Sequence, residues 1–373
     1  MATGWPMKTT YANGDVYSSQ DVNDITGTIN LLGSSVAYTA GKNRIINGDF
    51  RFNQRGFTSN STDNTYNFDR WVQANGGTTG TLTITPQTFT PGTAPVAGYE
   101  AINYVQCVTA AGASTNTFAI YNQYIEDTRT FAGQTVTLSF WAKATSGTPK
   151  IATEIGQNFG SGGSPSAAVY TAGGSVTLST SWARYSTTIT LPSVAGKTFG
   201  TTANTSYLGA SLWLSSGSNF NTRSSSIGLQ NATFHIWGVQ LEQGSTATAF
   251  QTATGTIQGE LAACQRYYER LGGTDVYATV GTGIGQISTA LRIIVPYKVT
   301  KRVTPTAVDY STLQVNDGTT IVAVTSLALS SVSGNANFAA LDVTTASGIT
   351  QYRPYVLGSN NSASAYIGFN SEL

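Results

Sequence analysis

The chain has 373 residues, 19 of them basic and 18 acidic, and charged residues make up only 10% of it, against roughly 25% in an average soluble protein. The length allows two or three domains with cores of their own. An even charge balance without charge runs excludes the concentrated basic face of a nucleic-acid binder and a polybasic membrane anchor. No run reaches the ~20 apolar residues of a membrane span, and residues 1–11 lack the apolar stretch of a secretory signal. The expectation is therefore cytosolic synthesis without membrane insertion.

Residues 1–42 differ from the rest. Val22, Ile25, Ile29 and Leu32 recur at spacings of 3 and 4, with Ser19 or Asp21 placed to cap the start. This predicts a short amphipathic helix with no domain around it, marginal alone and needing something to pack on.

From Asn43 the pattern changes to period two. Residues 134–144 alternate Val136, Leu138, Phe140 and Ala142 with Thr135, Thr137, Ser139 and Trp141. Residues 183–191 alternate Ala183, Tyr185, Thr187, Ile189 and Leu191. Residues 207–214 set Leu208, Ala210, Leu212 and Leu214 against Tyr207 and Trp213. Residues 232–241 set Phe234 and Ile236 against His235, Trp237 and Val239. With further strands at 82–85, 101–109, 118–124 and 167–170, this predicts an all-β jelly-roll sandwich over 43–252. Phe50, Phe52, Trp71, Phe140 and Phe234 are its expected core. Trp141, Trp213 and Trp237, on the opposite faces, are expected in second-face packing or an interface more than at a ligand.

Within 253–273, Ile257, Leu261, Cys264 and Tyr268 share a helical face, which predicts a linking helix ended by Gly272-Gly273. Beyond it, strands at 276–280, 287–295, 306–310, 313–315, 320–328, 338–344, 352–357 and 365–369 define a smaller C-terminal β domain, 274–373. No short-period repeat predicts a fibrous shaft.

The chemical motifs read as structural. In Gly196-Lys197-Thr198 the first glycine of a phosphate loop would fall at Leu191, a strand residue. Gly281-Thr282-Gly283-Ile284-Gly285 opens no helix and is expected to be a glycine-rich turn. The single histidine, His235, lies on a strand with no partner for a triad, and one histidine with the separated Cys107 and Cys264 makes no zinc site. Both cysteines are expected as buried free thiols. A glycosidase would need two facing carboxylates. Asp49, Asp63, Asp69, Glu100, Glu126, Asp127, Glu154 and Glu242 are available, but Asp69, Glu126, Asp127 and Glu242 adjoin strand ends where an arginine or a turn hydrogen bond is the ordinary use. No catalytic residue, cofactor or metal is expected.

Three segments carry a resemblance. NRIINGDFRFNQRG…NFDRW over 43–71, GVQLEQGSTATAF over 238–250 and LAACQRYYER over 261–270 together resemble a module of tailed-phage tail fibres and other virion adhesins. The RIIVPYKVTKRVTP and AYIGFNSEL segments are similar, more loosely, to the C-terminal stretches of that family. The Asn47-Gly48-Asp49-Phe50 start also resembles carbohydrate-binding jelly rolls. The structural calcium common in those modules lacks its expected carboxylates, since Arg51 follows Phe50 and Trp237-Gly238 holds the closing-strand place. The resemblance implies a virion tail protein assembled in the host cytoplasm. It would be a receptor-binding subunit, a homotrimer by family habit, attached to tail or baseplate proteins through residues 1–42. It would adhere to host-surface glycans by contacts multiplied through oligomerisation. The alternatives are a capsid-decoration protein, with residues 1–42 binding capsid, and a polysaccharide depolymerase. Loops at 58–65, 334–337 and 358–364, rich in small polar residues, are the expected recognition surfaces, with no individual binding residue assigned.

Overall fold

In a computed structural model the described residues are 41–373, apart from 79, 274 and 332. The helix expected around Val22–Leu32, and with it the attachment segment, lies outside them. The remainder is an all-β molecule, a two-sheet sandwich followed by a small closed barrel.

One sheet has the order β1 (Thr65–Tyr66), β2 (Trp71–Gly76), β5 (Phe118–Glu126), β10 (Tyr207–Ser216), β7 (Lys150–Asn158) and β8 (Val169–Thr177). The other has the order β3 (Thr81–Thr88), β4 (Asn103–Ala110), β11 (Ala232–Gln243), β6 (Thr135–Ala144) and β9 (Ala183–Thr190). The inward rows meet in one core. Val136, Leu138, Phe140 and Ala142 of β6 face Leu208, Ala210, Leu212 and Leu214 of β10, with Phe50, Trp71 and Phe234 at its centre. Of the expected core aromatics only Phe52 stays half-exposed.

Two departures from simple alternation have clear causes. In β11 the register shifts between Trp237 and Gln240, where Gly238 takes φ 64°. This bulge adds one residue, so Val239 turns into the core instead of lying beside His235 and Trp237. Strand β7 shows no alternation because it is covered on both sides. Ile151 and Ile155 face the main core, while Ala152 packs in a second cluster with Trp213 and Ile227.

The linking helix, α2, is Ile257–Gln265, following the four-residue α1 (Asn221–Ser224). Thr256 caps α2 by accepting from the Gly259 N–H. Tyr268, expected on this helix, instead begins β12 (Tyr268–Gly272), which pairs with β20 (Tyr366–Asn370). Sheet pairing overrides the helical spacing, and the Tyr268 hydroxyl bonds Asp309 of β15 (Ala307–Ser311).

The barrel closes in the order β13 (Thr279–Ile287), β14 (Ala290–Pro296), β18 (Phe338–Thr345), β17 (Ile321–Leu329), β16 (Leu313–Asn316) and β19 (Pro354–Ser359). The small sheet β12-β20-β15 shares its core through Leu271, Ile367 and Phe369. The Gly281–Gly285 run is not a turn, as its composition suggested, but the body of β13. A Cβ at Gly283 would sit 1.9 Å from the Arg292 carbonyl oxygen, and one at Gly285 would sit 2.4 Å from that of Thr350. The barrel wall needs glycine there because neighbouring backbone occupies the side-chain space.

The opening run, the closing strand and the helix-to-β12 segment converge in one hub. The Asn43 amide accepts from the Leu241 N–H and donates to the Gln251 carbonyl, and the Asn47 N–H donates to Glu260 Oε1 at 2.6 Å. The Val239 N–H donates to the Gly48 carbonyl, and a Cβ on Gly48 would lie 2.2 Å from the Val239 oxygen. Arg70, 1% exposed, pairs with Glu372 and lies 3.3 Å above the Tyr267 ring. Arg55 stacks at 3.9 Å on Tyr268, and Arg270 donates to the carbonyls of Gln54 and Arg55. The same residues that open the sandwich thus clamp it to the barrel.

Candidate functional site

The outer face of the six-stranded sheet carries a groove of about 220 Å³. Cross-strand register builds its floor. Tyr124, Gly209, Gly156 and Tyr170 form one row across β5, β10, β7 and β8. The next row is Asn122, Ser211 and Glu154, and the one beyond is Ile120, Trp213 and Ala152. The glycines let the tyrosine rings lie down on the sheet. A Cβ on Gly156 would come within 3.0 Å of the Tyr170 ring, and one on Gly209 within 3.5 Å of the Tyr124 ring. Tyr207 joins them, its ring 4.6 Å from that of Tyr124 and its hydroxyl 3.4 Å from the Asn158 amide nitrogen. Burial and the neighbouring phenol oxygens of Tyr207 and Tyr170 push the Tyr124 hydroxyl up to about 12. Three phenols share one mouth.

The groove is lined by one carboxylate and one guanidinium, and these are paired. Arg223, from α1, donates Nε to Glu154 Oε2 at 2.7 Å and Nη2 to Oε1 at 2.8 Å. Glu154 is 1% exposed. The guanidinium lies 3.6 Å over the Tyr170 ring and 5.1 Å from Trp213. The lining thus combines flat aromatic faces with amide, hydroxyl and phenol groups and no unbalanced charge. Flat faces take the apolar sides of a polyhydroxylated ring, while the polar groups take its rim.

The expected recognition loops lie elsewhere. Residues 58–65 are pinned by the Asn60–Ile84 bridge and by Asp63, which accepts from the Asn75 N–H. Asn335 caps the turn before Phe338. Gly358 lies in β19, while Ser364 borders a depression with Gln54, Arg270, Gly272 and Gly273. Trp213 and Trp237 are fully buried beneath the chain's own loops, and Trp141 packs beside Trp237, so all three serve second-face packing. His235 bonds Gln106 at 3.1 Å, and burial with the nearby Lys143 holds it down at about 4. Glu126 takes Arg266 as its partner, Asp127 takes Arg129, and Glu242 accepts from Thr248. Cys107 and Cys264 are buried free thiols. Among the described residues, no group of three His, Cys, Asp or Glu side chains is arranged to hold a metal ion.

Reasoning from the sequence missed the groove because its parts are scattered. Glu154 and Gly156 sit on β7, whose doubly covered strand hides the period of two, and Arg223 comes from the short helix α1 between β10 and β11. The part marked in the sequence is the outward face of β10, where Tyr207 lies opposite the core row Leu208, Ala210, Leu212 and Leu214.

Part of this sandwich is similar to a known carbohydrate binding domain. Residues 105–204, holding Tyr124, Glu154, Gly156 and Tyr170, match a family model described as a carbohydrate binding domain. No curated protein matches the chain. Among solved structures it is similar to a family 4 carbohydrate-binding module (20% identity, 53% of this chain and 98% of that one, TM-score 0.28). It is also similar to the family 11 module from Clostridium thermocellum in complex with a mixed-linked tetrasaccharide (10%, 51% and 98%, TM-score 0.29). A further likeness is to the enzymatically active domain of bacteriophage CBA120 tailspike protein 4 (14% identity, TM-score 0.29). That match covers 54% of this chain and 22% of the tailspike chain.

Proposed function

We propose that this protein is a non-catalytic adhesin of a tailed-phage virion, a tail-fibre or receptor-binding subunit that holds host-surface glycans in the outer-sheet groove. The observation that carries the glycan reading is the tyrosine platform of Tyr124, Tyr170 and Tyr207 with Asn122, Asn158 and Ser211 around it, within and beside the stretch that matches a carbohydrate binding domain. The virion assignment rests on the opening, closing and CQRYY segments that resemble phage fibre modules. Their side chains interlock in the hub, so the likeness extends over residues that act together.

Self-association, with a homotrimer as the expected form, is supported by an uncharged stripe on the barrel. Ile294, Thr282 and Val356 lie in one cross-strand row, with Ile321 exposed beyond them at 59%. Exposed apolar side chains gathered along one uncharged row, here interspersed with Thr282 and Asn316, suit an interaction surface. Repetition around a symmetry axis would raise the avidity of weak glycan contacts. The test joins two measurements. Binding of the protein to host cells and to purified host polysaccharide should fall with Tyr124→Ala and Tyr170→Ala. Cryo-electron reconstruction of the particle should place the chain at the tail. Full host binding by both variants would overturn the groove assignment, and copies spread over the head would overturn the tail assignment.

A further inference from the structure

The polar side chains that line the groove divide into those spent within the protein and those that are not. Glu154 has both oxygens held by Arg223. The Asn158 amide donates to the Tyr207 hydroxyl, and its oxygen accepts from the Gly160 N–H at 2.9 Å. Asn122 and Ser211 differ from these. They lie directly opposite one another on β5 and β10 and are 4% and 8% exposed. Neither side chain makes a hydrogen bond to another described residue. Both line the groove, and neither polar end is sealed from water. The neighbour of Asn122 on its other side is Val72 of β2, which is apolar. Buried polar groups normally have partners, so two without them, side by side on a groove floor, are placed for a ligand.

Strand geometry sets this pair against the aromatic platform. Tyr124 follows Asn122 by two residues on β5, and Gly209 precedes Ser211 by two on β10. The two rows therefore share the outer face about 6–7 Å apart. The Tyr124 ring lies over Gly209. A sugar ring resting flat on it turns one edge to the Asn122–Ser211 row. Directly opposed side chains stand about 4.5–5.5 Å apart, so both meet the same edge.

We propose that Asn122 and Ser211 are specificity-determining residues of the groove, and that they read two adjacent free hydroxyls on the edge of one sugar unit. This rests on the reading of the groove as a glycan site. A carboxamide offers one donor and one acceptor side by side, whichever way it is turned. Hydroxyls on neighbouring ring carbons complement it, one accepting and the other donating, and the Ser211 hydroxyl bonds the nearer of them. A unit that has spent one of the two on a glycosidic bond leaves half of the amide unpaired on a floor with little water, which is costly. The tyrosines take any flat apolar sugar face and set affinity without setting this choice.

The test titrates the full chain against immobilised host-surface polysaccharide, xylan, dextran, pectic galactan and curdlan. Internal units of xylan, dextran and pectic galactan keep adjacent ring hydroxyls free. Curdlan is linked through the middle hydroxyl of each unit, so its internal units keep none. The best-bound polymer, host polysaccharide included, should be preferred over curdlan by about tenfold or more. Asn122→Ala and Ser211→Ala should reduce that preference towards one while the melting temperature stays unchanged, since neither removes a hydrogen bond within the protein. Tyr170→Ala should weaken every bound polymer by a common factor and keep the preference. Curdlan bound as tightly as the best polymer would overturn the reading of adjacent hydroxyls. A preference kept in full by both Asn122→Ala and Ser211→Ala would assign the choice to other residues and overturn this proposal. Either result leaves the glycan reading intact. Absence of binding to every polymer tested would remove the glycan reading, and this proposal with it.

Discussion

Individual side chains set the magnitudes to expect. Tyr170 lies half-exposed over Gly156, so its truncation removes ligand contact area and exposes no core. Tyr170→Ala should weaken glycan binding by about 1–2 kcal/mol, roughly tenfold in Kd, with thermal stability nearly unchanged. Isothermal titration beside a melting curve checks both. His235 and Asp69 work on stability in opposite directions as pH falls. His235 is held down at about 4, below its free value, so its contribution is present above about 6.5 and is lost as pH drops towards 4. Burial raises Asp69 to about 6, so its contribution is complete below its free value near 4 and fades as pH rises through 6. Melting temperatures between pH 6.5 and 4 should therefore fall less steeply in His235→Gln and more steeply in Asp69→Asn than in the unaltered protein. Parallel profiles for all three would refute both assignments.

The elements show which local rules could be read from the sequence. In β6, β9 and β10 one face meets the core and the other meets loops or solvent, and the period of two is plain in the sequence. In β7 the Thr153 hydroxyl reaches Thr187 across the core while Ala152 and Glu154 lie under the 217–228 segment. Every position from Ile151 to Gln157 is buried, and the alternation vanishes. In β13 the glycines that ordinarily signal a turn are required by close backbone approach in the barrel wall. Replacing Gly283 with alanine would force a Cβ to within 1.9 Å of a carbonyl oxygen, so Gly283→Ala should lower the melting temperature by several degrees, a cost of about 1–3 kcal/mol. Gly238 is constrained by its positive φ instead, and its bulge turns Val239 inward. The groove was legible only in Tyr207 on the outward face of β10, because its remaining parts meet through cross-strand register and through the short helix that carries Arg223.

Across the whole molecule the organising feature is the hub that joins sandwich and barrel. Arg70 is almost wholly buried between Glu372, the Tyr124 carbonyl and the Tyr267 ring. Its loss would leave the Glu372 carboxylate paired with Arg55 alone among the described residues. Arg70→Met should destabilise the protein by about 3–5 kcal/mol, the cost of breaking a buried pair from one side. Calorimetry should then show barrel and sandwich unfolding less cooperatively than in the unaltered protein, as a broadened or split transition. A sharp, unshifted transition would mean that the aromatic contacts alone hold the two together. The resemblance carried by the opening run singled out this stretch, but not its partners, which lie some 200 to 300 residues away.

That separation also sets a clock. Arg70 leaves the ribosome 302 residues before Glu372, and at about 5–20 residues per second the interval is roughly 15–60 s. Throughout it the β-strands of the sandwich can pair, yet the guanidinium at its base has no counter-charge and must stay hydrated. The base of the sandwich therefore seals last, after the barrel strands have been made. A nascent chain halted before residue 372 should show protease cleavage near Arg70 that disappears once the final strand is released.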